Sequence, residues 1–288
     1  MNCAPTCPAN SAGSALPRER AVASRCCMLR YRRASPHCAG RPERGAPAGW
    51  EVAWRLSCWY TARVWAAGSG AALRQSGHEV HTPTLTGLGE RAHLARPEIN
   101  LDTHVQDIVN RLTFEDLADV VLVGHSYSGM VISGVAERVP ERLARLVYLS
   151  ACVPEDGQSV YDTTVPAFRE LVEAAAREHG DGWRWPWPPA EELDQYLTLD
   201  GFTDDDKQCV WSKAVPQPLG TYRQPLRLRN PAARAVPRTY IHGTLDLVLP
   251  AVERVRTAPE WDYHELPSGH WAMITRPREL AALLASLP

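Results

Sequence analysis

Long apolar runs are missing from this chain of 288 residues. None approaches the ~20 residues that cross a bilayer as a helix, so no membrane partner is expected. An excess of one sign of charge is missing too: the formal net charge is −2. That balance gives no electrostatic reason to expect nucleic acid as partner. No secretory apolar region stands near the start, because Arg18, Arg20, Arg25, Arg30, Arg32 and Arg33 interrupt every candidate. The chain therefore reads as cytoplasmic. Cysteine is scarce beyond residue 58, where only Cys152 and Cys209 remain, while Cys3, Cys7, Cys26, Cys27, Cys38 and Cys58 crowd the first segment. A zinc site wants paired cysteines with a second pair or histidines at matching spacing. Cys3 and Cys7 are a weak first half without a second, so no metal is expected.

What is present fits a globular enzyme: 44% apolar and 22% charged residues, in a chain long enough for one large α/β domain or a domain with an insertion. From residue 71 the pattern is orderly. "AALRQSGHEVHTP" reads as a helix end, a stop at Gly77 and a short strand running to Pro83. "TLTGLGERAH" reads as a Gly-rich loop. "DTHVQDIVNRLTFEDL" sets Val105, Ile108, Val109 and Leu112 on one helical face, with Asp102 as N-cap. "DVVLVG" and "ARLVYLSACVP" read as strands buried on both faces, separated by the helix of "SGMVISGVAERVPERL". Strand, helix, strand in that order predicts an α/β fold with a mostly parallel sheet flanked by helices. From Pro154 to about residue 234 proline and tryptophan crowd among helical pieces without an intervening strand, which reads as an inserted helical cap. "VPRTYIHG" and "WDYHEL" resume the sheet, and "PRELAALLASL" closes the chain as an amphipathic helix. The division expected is an atypical segment 1–70, a core of 71–153 with 235–288, and a cap of 154–234.

The chemistry centres on Gly124-His125-Ser126-Tyr127-Ser128-Gly129, where a buried strand meets a helix. A nucleophile elbow turns so tightly that small residues are needed two before and two after the serine. Gly124 meets the first requirement, and Ser128 stands where glycine is usual, a departure that Gly129 next door would ease. Such a turn aims Ser126 off the sheet's edge and sets the Tyr127 backbone N–H at a helix N-terminus, facing a developing oxyanion. The alternative is a serine capping an ordinary turn. A serine needs a base, and in elbow enzymes the acid and then the histidine follow on loops after later strands. Asp246 follows "RTYIHG" and His270 follows "WDYHELPSG", so these two complete a Ser126-Asp246-His270 triad. His242 and His264 lie inside strands and read as structural, and Asp262 lies at the wrong end of its strand.

"HEVHTPTLTGLGER", "LVGHSYSGMVI" and "LVYLSACVPEDGQS" together resemble the plant methylesterase and hydroxynitrile lyase branch of the α/β-hydrolase superfamily and its bacterial esterase relatives, over residues 71 to 288. The resemblance implies the α/β-hydrolase fold and a cofactor-free serine hydrolase acting on a small, often aromatic, ester. It also implies a cap whose apolar residues line the acyl pocket. Trp183, Trp185 and Trp187 are candidates for that lining, with at least two of them expected to pack cap against core. His125 and Trp271, next to catalytic positions, are assigned to the same pocket. The lyases carry lysine directly after the catalytic histidine, where this chain has Trp271, which favours ester hydrolysis over carbon–carbon cleavage. A third reading is a non-catalytic ligand-binding relative. Oligomeric state is left open.

One part of the pattern is missing. The branch takes its other oxyanion donor from a loop after an early central strand, usually apolar-apolar-Val-His-Gly. The stretch before "AALRQSGHEV" reads "EVAWRLSCWYTARVWAAGSG" instead, without that strand or a His-Gly pair. Reading the implied codons from their third base changes this. Ser57/Cys58 gives NTG (leucine, valine or methionine), Cys58/Trp59 gives leucine and Trp59/Tyr60 gives valine. Tyr60/Thr61 gives tyrosine or histidine, Thr61/Ala62 permits glycine, and Trp65/Ala66 forces another. The shifted frame thus permits Leu-Leu-Val-His-Gly in the expected place. Residues 1 to about 70 are accordingly expected to be out of frame, which also fits their Arg, Ala, Pro, Gly and Cys bias. The rival is a genuine disordered extension. As written, the sheet is expected to lack its middle strand.

Overall fold

A computed structural model describes residues 54–57 and 68–288. The centre of the molecule is a six-stranded parallel sheet: β1 (Trp54–Ser57), β2 (Val80–His81), β3 (Val120–His125), β4 (Leu143–Leu149), β7 (Arg238–Gly243) and β8 (Trp261–Leu266), in the order β2-β1-β3-β4-β7-β8. The continuous apolar runs of β3 and β4 follow from period-two geometry with helices on both faces. Val120 and Leu122 enter one hydrophobic cluster and Val121 and Val123 the other; Leu146 and Tyr148 are likewise separated from Val147 and Leu149. On the first face α2 (Leu101–Phe114) packs against α3 (Ser128–Arg138). On the second, α1 (Ser69–Gln75) packs against α7 (Pro277–Ser286).

Between β4 and β7 the chain makes an excursion over 154–234, containing α4 (Pro166–His179), α5 (Asp204–Trp211) and shorter turns. It also holds a two-residue antiparallel ribbon, β5 (Arg184–Trp185) with β6 (Gln217–Pro218), where no strand was expected. Helix α6 (Val252–Thr257) joins β7 to β8.

The central slot of the sheet is filled. Trp54–Ser57 pairs parallel with β3, Trp54 opposite Val121 and Ser57 opposite Gly124, and with β2 on its other side. The expectation of a missing middle strand is therefore corrected. Ladder bonds are made by backbone N–H and C=O, so a short extended run without proline can complete a parallel sheet whatever its side chains. The loop after this strand, and the rest of the 1–70 segment apart from 68–70, lie outside the described residues.

Local differences have local causes. The N-cap of α2 is Asn100, not Asp102: the Asn100 side chain accepts from Thr103 N at 3.1 Å, and Thr103 Oγ1 accepts from Asn100 N. Asp102 sits in the first turn and pairs with Arg138. On the same helix Val109 is only partly buried, while His104 is fully buried beside Val105, Ile108 and Leu112. Strand β2 stops at His81, and the "TLTGLGERAH" loop carries a 3-10 turn at Gly89–Leu94.

Candidate active site

Strand β3 ends at His125 and α3 begins at Ser128, leaving two residues to turn the chain. Ser126 takes the left-handed conformation, φ +54°, which few non-glycine residues adopt. The end of β4 and the residues after it hold it there. Ser126 N donates to the Leu149 carbonyl at 3.3 Å, and the Ser126 carbonyl accepts from Cys152 N at 3.0 Å and Gly129 N at 3.1 Å. A Cβ at Gly124 would lie 2.7 Å from the Ser128 carbonyl oxygen, and one at Gly129 only 2.0 Å from that of Cys152. Both glycines are thus required by close backbone approach. Tyr127 caps α3, which sets its backbone N–H at the positive end of that helix. Its hydroxyl donates to His104 Nδ1 at 2.9 Å, and His104 Nε2 donates to the Thr86 carbonyl at 2.9 Å. Burial lowers the His104 pKa to about 4, so this bridging ring is neutral.

Asp246 lies on the loop after β7 and His270 on the turn after β8, and the two side chains meet: His270 Nδ1 donates to Asp246 Oδ2 at 2.7 Å, with 4% and 3% of the side chains exposed. Burial pushes the Asp246 carboxyl up. The His270 charge and hydrogen bonds from His270, Leu247 N–H and Ser150 more than offset this, holding the pKa below the usual carboxylate value. Ser150, at the end of β4, also accepts from Gly243 N at 3.2 Å, and so ties the acid loop to the sheet. His125 sits against His270: its Nε2 donates to the His270 carbonyl at 2.7 Å, with ring centroids 4.5 Å apart. Burial, then the neighbouring His270 charge, drives the His125 pKa well below its ordinary value.

Ser126, Tyr127 and His270 line one cavity of about 590 Å³, counting its open mouth. Its walls are largely apolar, with the aromatic rings of Phe168, Trp185, Tyr196 and Tyr222 from the β4–β7 excursion and Leu247 and Leu249 from the loop after β7. Of the residues expected in the pocket, Trp185 is on this wall and four are elsewhere. His125 is buried against His270 and Trp271. Trp271 is 4% exposed in the second core cluster. Trp187 packs edge-on against Trp211 and Trp271, at 5.5 and 5.7 Å. Trp183 is partly exposed under the Arg184 guanidinium. Large flat side chains on the excursion fill the seam to the core as readily as they line a pocket. Sequence reasoning missed Ser150 and Cys152, although both stand in "LVYLSACVP". It also missed Phe168, Tyr196 and Tyr222, which no periodic pattern marks.

Among the described residues no group of three or more histidines, cysteines or carboxylates is disposed to hold a metal, and no helix is long and apolar enough to cross a membrane.

A parallel sheet with a left-handed serine between strand and helix, and a histidine–aspartate pair on the loops of its last two strands, is the arrangement of one class of fold. The sequence model of the alpha/beta hydrolase family matches residues 37–283, and the chain belongs to that family. It is similar to the carbendazim hydrolyzing esterase of Nocardioides sp. strain SG-4G, 39% identical over 232 residues that cover 76% of this chain and 92% of that protein. Among solved structures it is similar to an extracellular alpha/beta-hydrolase from a Paenibacillus species, with TM-score 0.68 and 24% identity over 81% of this chain and 98% of that one. It is also similar to the methylesterase MES16 from Arabidopsis, with TM-score 0.64 and 20% identity over 81% and 97%. At these identities the two structures establish the shared fold.

Proposed function

We propose that the chain is a serine hydrolase that cleaves small, neutral carboxylic esters through an acyl-enzyme. The buried 2.7 Å bond between Asp246 and His270, on the same cavity as Ser126, carries this reading. With Nδ1–H given to Asp246, His270 keeps Nε2 as the base. Ser126 Oγ attacks the ester carbonyl while Nε2 takes its proton, and the oxyanion forms towards the Tyr127 N–H at the head of α3. Collapse expels the alcohol, which leaves with the proton from Nε2. A water then repeats the sequence on the acyl-enzyme, releasing the acid and restoring Ser126.

The cavity wall presents aromatic and aliphatic side chains and no charged group besides the triad, which supports a neutral substrate with a flat or aliphatic acyl part. The Nocardioides relative makes carbendazim, as well as simple aryl esters, a substrate to try. In this reading residues 154–234 form the cap over 71–153 and 235–288, and the enzyme works in the cytoplasm. Residues 1 to about 70 are read out of frame, so the second oxyanion donor expected after β1 is not encoded as the branch has it. The test is labelling with a fluorophosphonate probe alongside hydrolysis of p-nitrophenyl acetate. Both should vanish in Ser126→Ala, and labelling that survives that substitution sinks the proposal.

A further inference from the structure

A second cavity, about 770 Å³ with its mouth, shares no lining residue with the first. It lies against α3, the middle of β4, the first residues of the β4–β7 excursion and the opening residues of β7 and β8. Its floor is apolar: Trp261 meets Tyr148 edge-on at 5.1 Å, with Leu146, Val153 and Leu228 around them. The Tyr148 hydroxyl is already committed. Ser133 Oγ donates to the Gly129 carbonyl at 2.7 Å, so at 2.8 Å Tyr148 donates to Ser133.

The charged rim is unevenly paired. Glu137 accepts from Arg229 N and Asn230 N at 2.7 and 2.8 Å, and Asp156 accepts from Leu228 N at 2.9 Å. Glu155 faces Arg254 at 3.6 Å, and Arg254 also donates to the Val153 carbonyl. All three carboxylates are therefore engaged, and they fix the walls. Arg234 and Arg238 have no carboxylate partner among the described residues. Arg238 lies over the Trp261 ring at 5.7 Å, its one hydrogen-bond acceptor there being the Ala233 carbonyl at 3.4 Å, and its Nε is buried without a partner. Arg234, the last residue of the short helical turn Pro231–Arg234 that precedes β7, is exposed on the same rim. Two guanidiniums that lack carboxylates, beside an apolar aromatic floor, suit a ligand with one anionic end and a flat apolar body.

We propose that this second cavity binds an arylcarboxylate, with the ring on Trp261 and Tyr148 and the carboxylate between Arg234 and Arg238. The site stands apart from the catalytic one and does not depend on the chain being an esterase. Titration calorimetry on the full chain with benzoate tests it, with benzyl alcohol (the same body without the charge) and inorganic phosphate (the charge without the body) as comparators. Benzoate should bind one to one, and each comparator about tenfold more weakly or worse, as expected for losing one charge-assisted contact or the apolar floor. Arg238→Gln and Arg234→Gln should each weaken benzoate about tenfold, while Phe168→Ala, in the catalytic cavity, leaves it unchanged. Because Arg238 also packs on Trp261, Arg234→Gln is the deciding variant: its side chain has no partner to lose among the described residues. Wild-type affinity in Arg234→Gln, equal binding of either comparator, or weakening only by Phe168→Ala would overturn the proposal.

Discussion

At the scale of single residues the elbow separates two glycine roles that look alike in the sequence. Gly129 does not relieve its neighbour; it lets α3 approach the Cys152 carbonyl, where a Cβ would lie at 2.0 Å. Ser128, in the position where glycine is usual, is accommodated with its side chain fully buried, and its Oγ has no hydrogen-bond partner among the described residues. A buried hydroxyl left without a partner costs about 1–3 kcal/mol, and alanine is the better helix former. Ser128→Ala should therefore raise the urea-unfolding free energy by about 1 kcal/mol, and a loss of stability would contradict this account. Ser126, Asp246 and His270 were legible as candidates because each is announced by its surroundings: a strand, a tight turn and a polar residue, three times over. Ser150 was not, because a serine closing a buried strand carries no mark of the acid it supports.

Elements with a strong period were readable in advance, and short ones only where turns mark them. β3 and β4 follow from apolar runs, β7 and β8 from short segments rich in strand-favouring Thr, Tyr, Ile and Trp between turns, and α2, α3 and α7 from helical spacing. The two-residue strands of the β5–β6 ribbon have no period to detect, whereas β2 was marked by the Gly77 stop before it and Pro83 after it. The N-cap of α2 went to Asn100 because capping depends on which side chain meets the Thr103 amide, not on charge alone. Helix α2 does more than fill the core. Its His104 and Asp107 both grip Thr86: the first takes the carbonyl, the second the amide at 2.6 Å and the hydroxyl at 2.8 Å. With a folded pKa of about 4 against about 6.5 unfolded, His104 lets the unfolded chain take up its proton first as the pH falls. Stability present above pH 6.5 is then lost progressively towards pH 4. Between pH 7 and 5 His104→Gln should lose roughly 2 kcal/mol less than the wild type in urea denaturation. The slope from His125, also buried with a lowered pKa, is common to both proteins and cancels. Equal losses would show that His104 titrates alike in the folded and unfolded chains, with no lowering by burial.

At the scale of the whole molecule the sheet and the reading frame pose separate questions. Trp54–Ser57 completes the ladder between β2 and β3, so backbone continuity does not require the family's own strand sequence. An oxyanion donor is a stricter demand, because one amide must stand at one place. Removing such a donor costs on the order of 10² to 10³ in rate. A chain with codons 57 to 66 restored to the apolar-Leu-Val-His-Gly frame should hydrolyse p-nitrophenyl acetate faster by about that factor. Equal turnover of the two chains ends the prediction that the chain as written is impaired, and a gene sequence whose shifted frame spells something else ends the frame proposal. The separation of the two cavities also follows from this scale, since one opens above the ends of β3, β7 and β8 and the other lies against the middle of β4 and the opening residues of β7 and β8.

The left-handed backbone at Ser126 narrows what evolution could ever place there. Threonine offers the same hydroxyl chemistry, yet its second branch at Cβ is poorly tolerated at φ +54°. Glycine would welcome the conformation and bring no nucleophile. An unbranched side chain ending in a nucleophilic oxygen or sulfur satisfies both demands, so the interchange open to this site is among serine, cysteine and aspartate, the last of which takes the same conformation at Asp116, Asp119 and Asp181. The shape of a single turn has thereby chosen the alphabet from which its chemistry can be written.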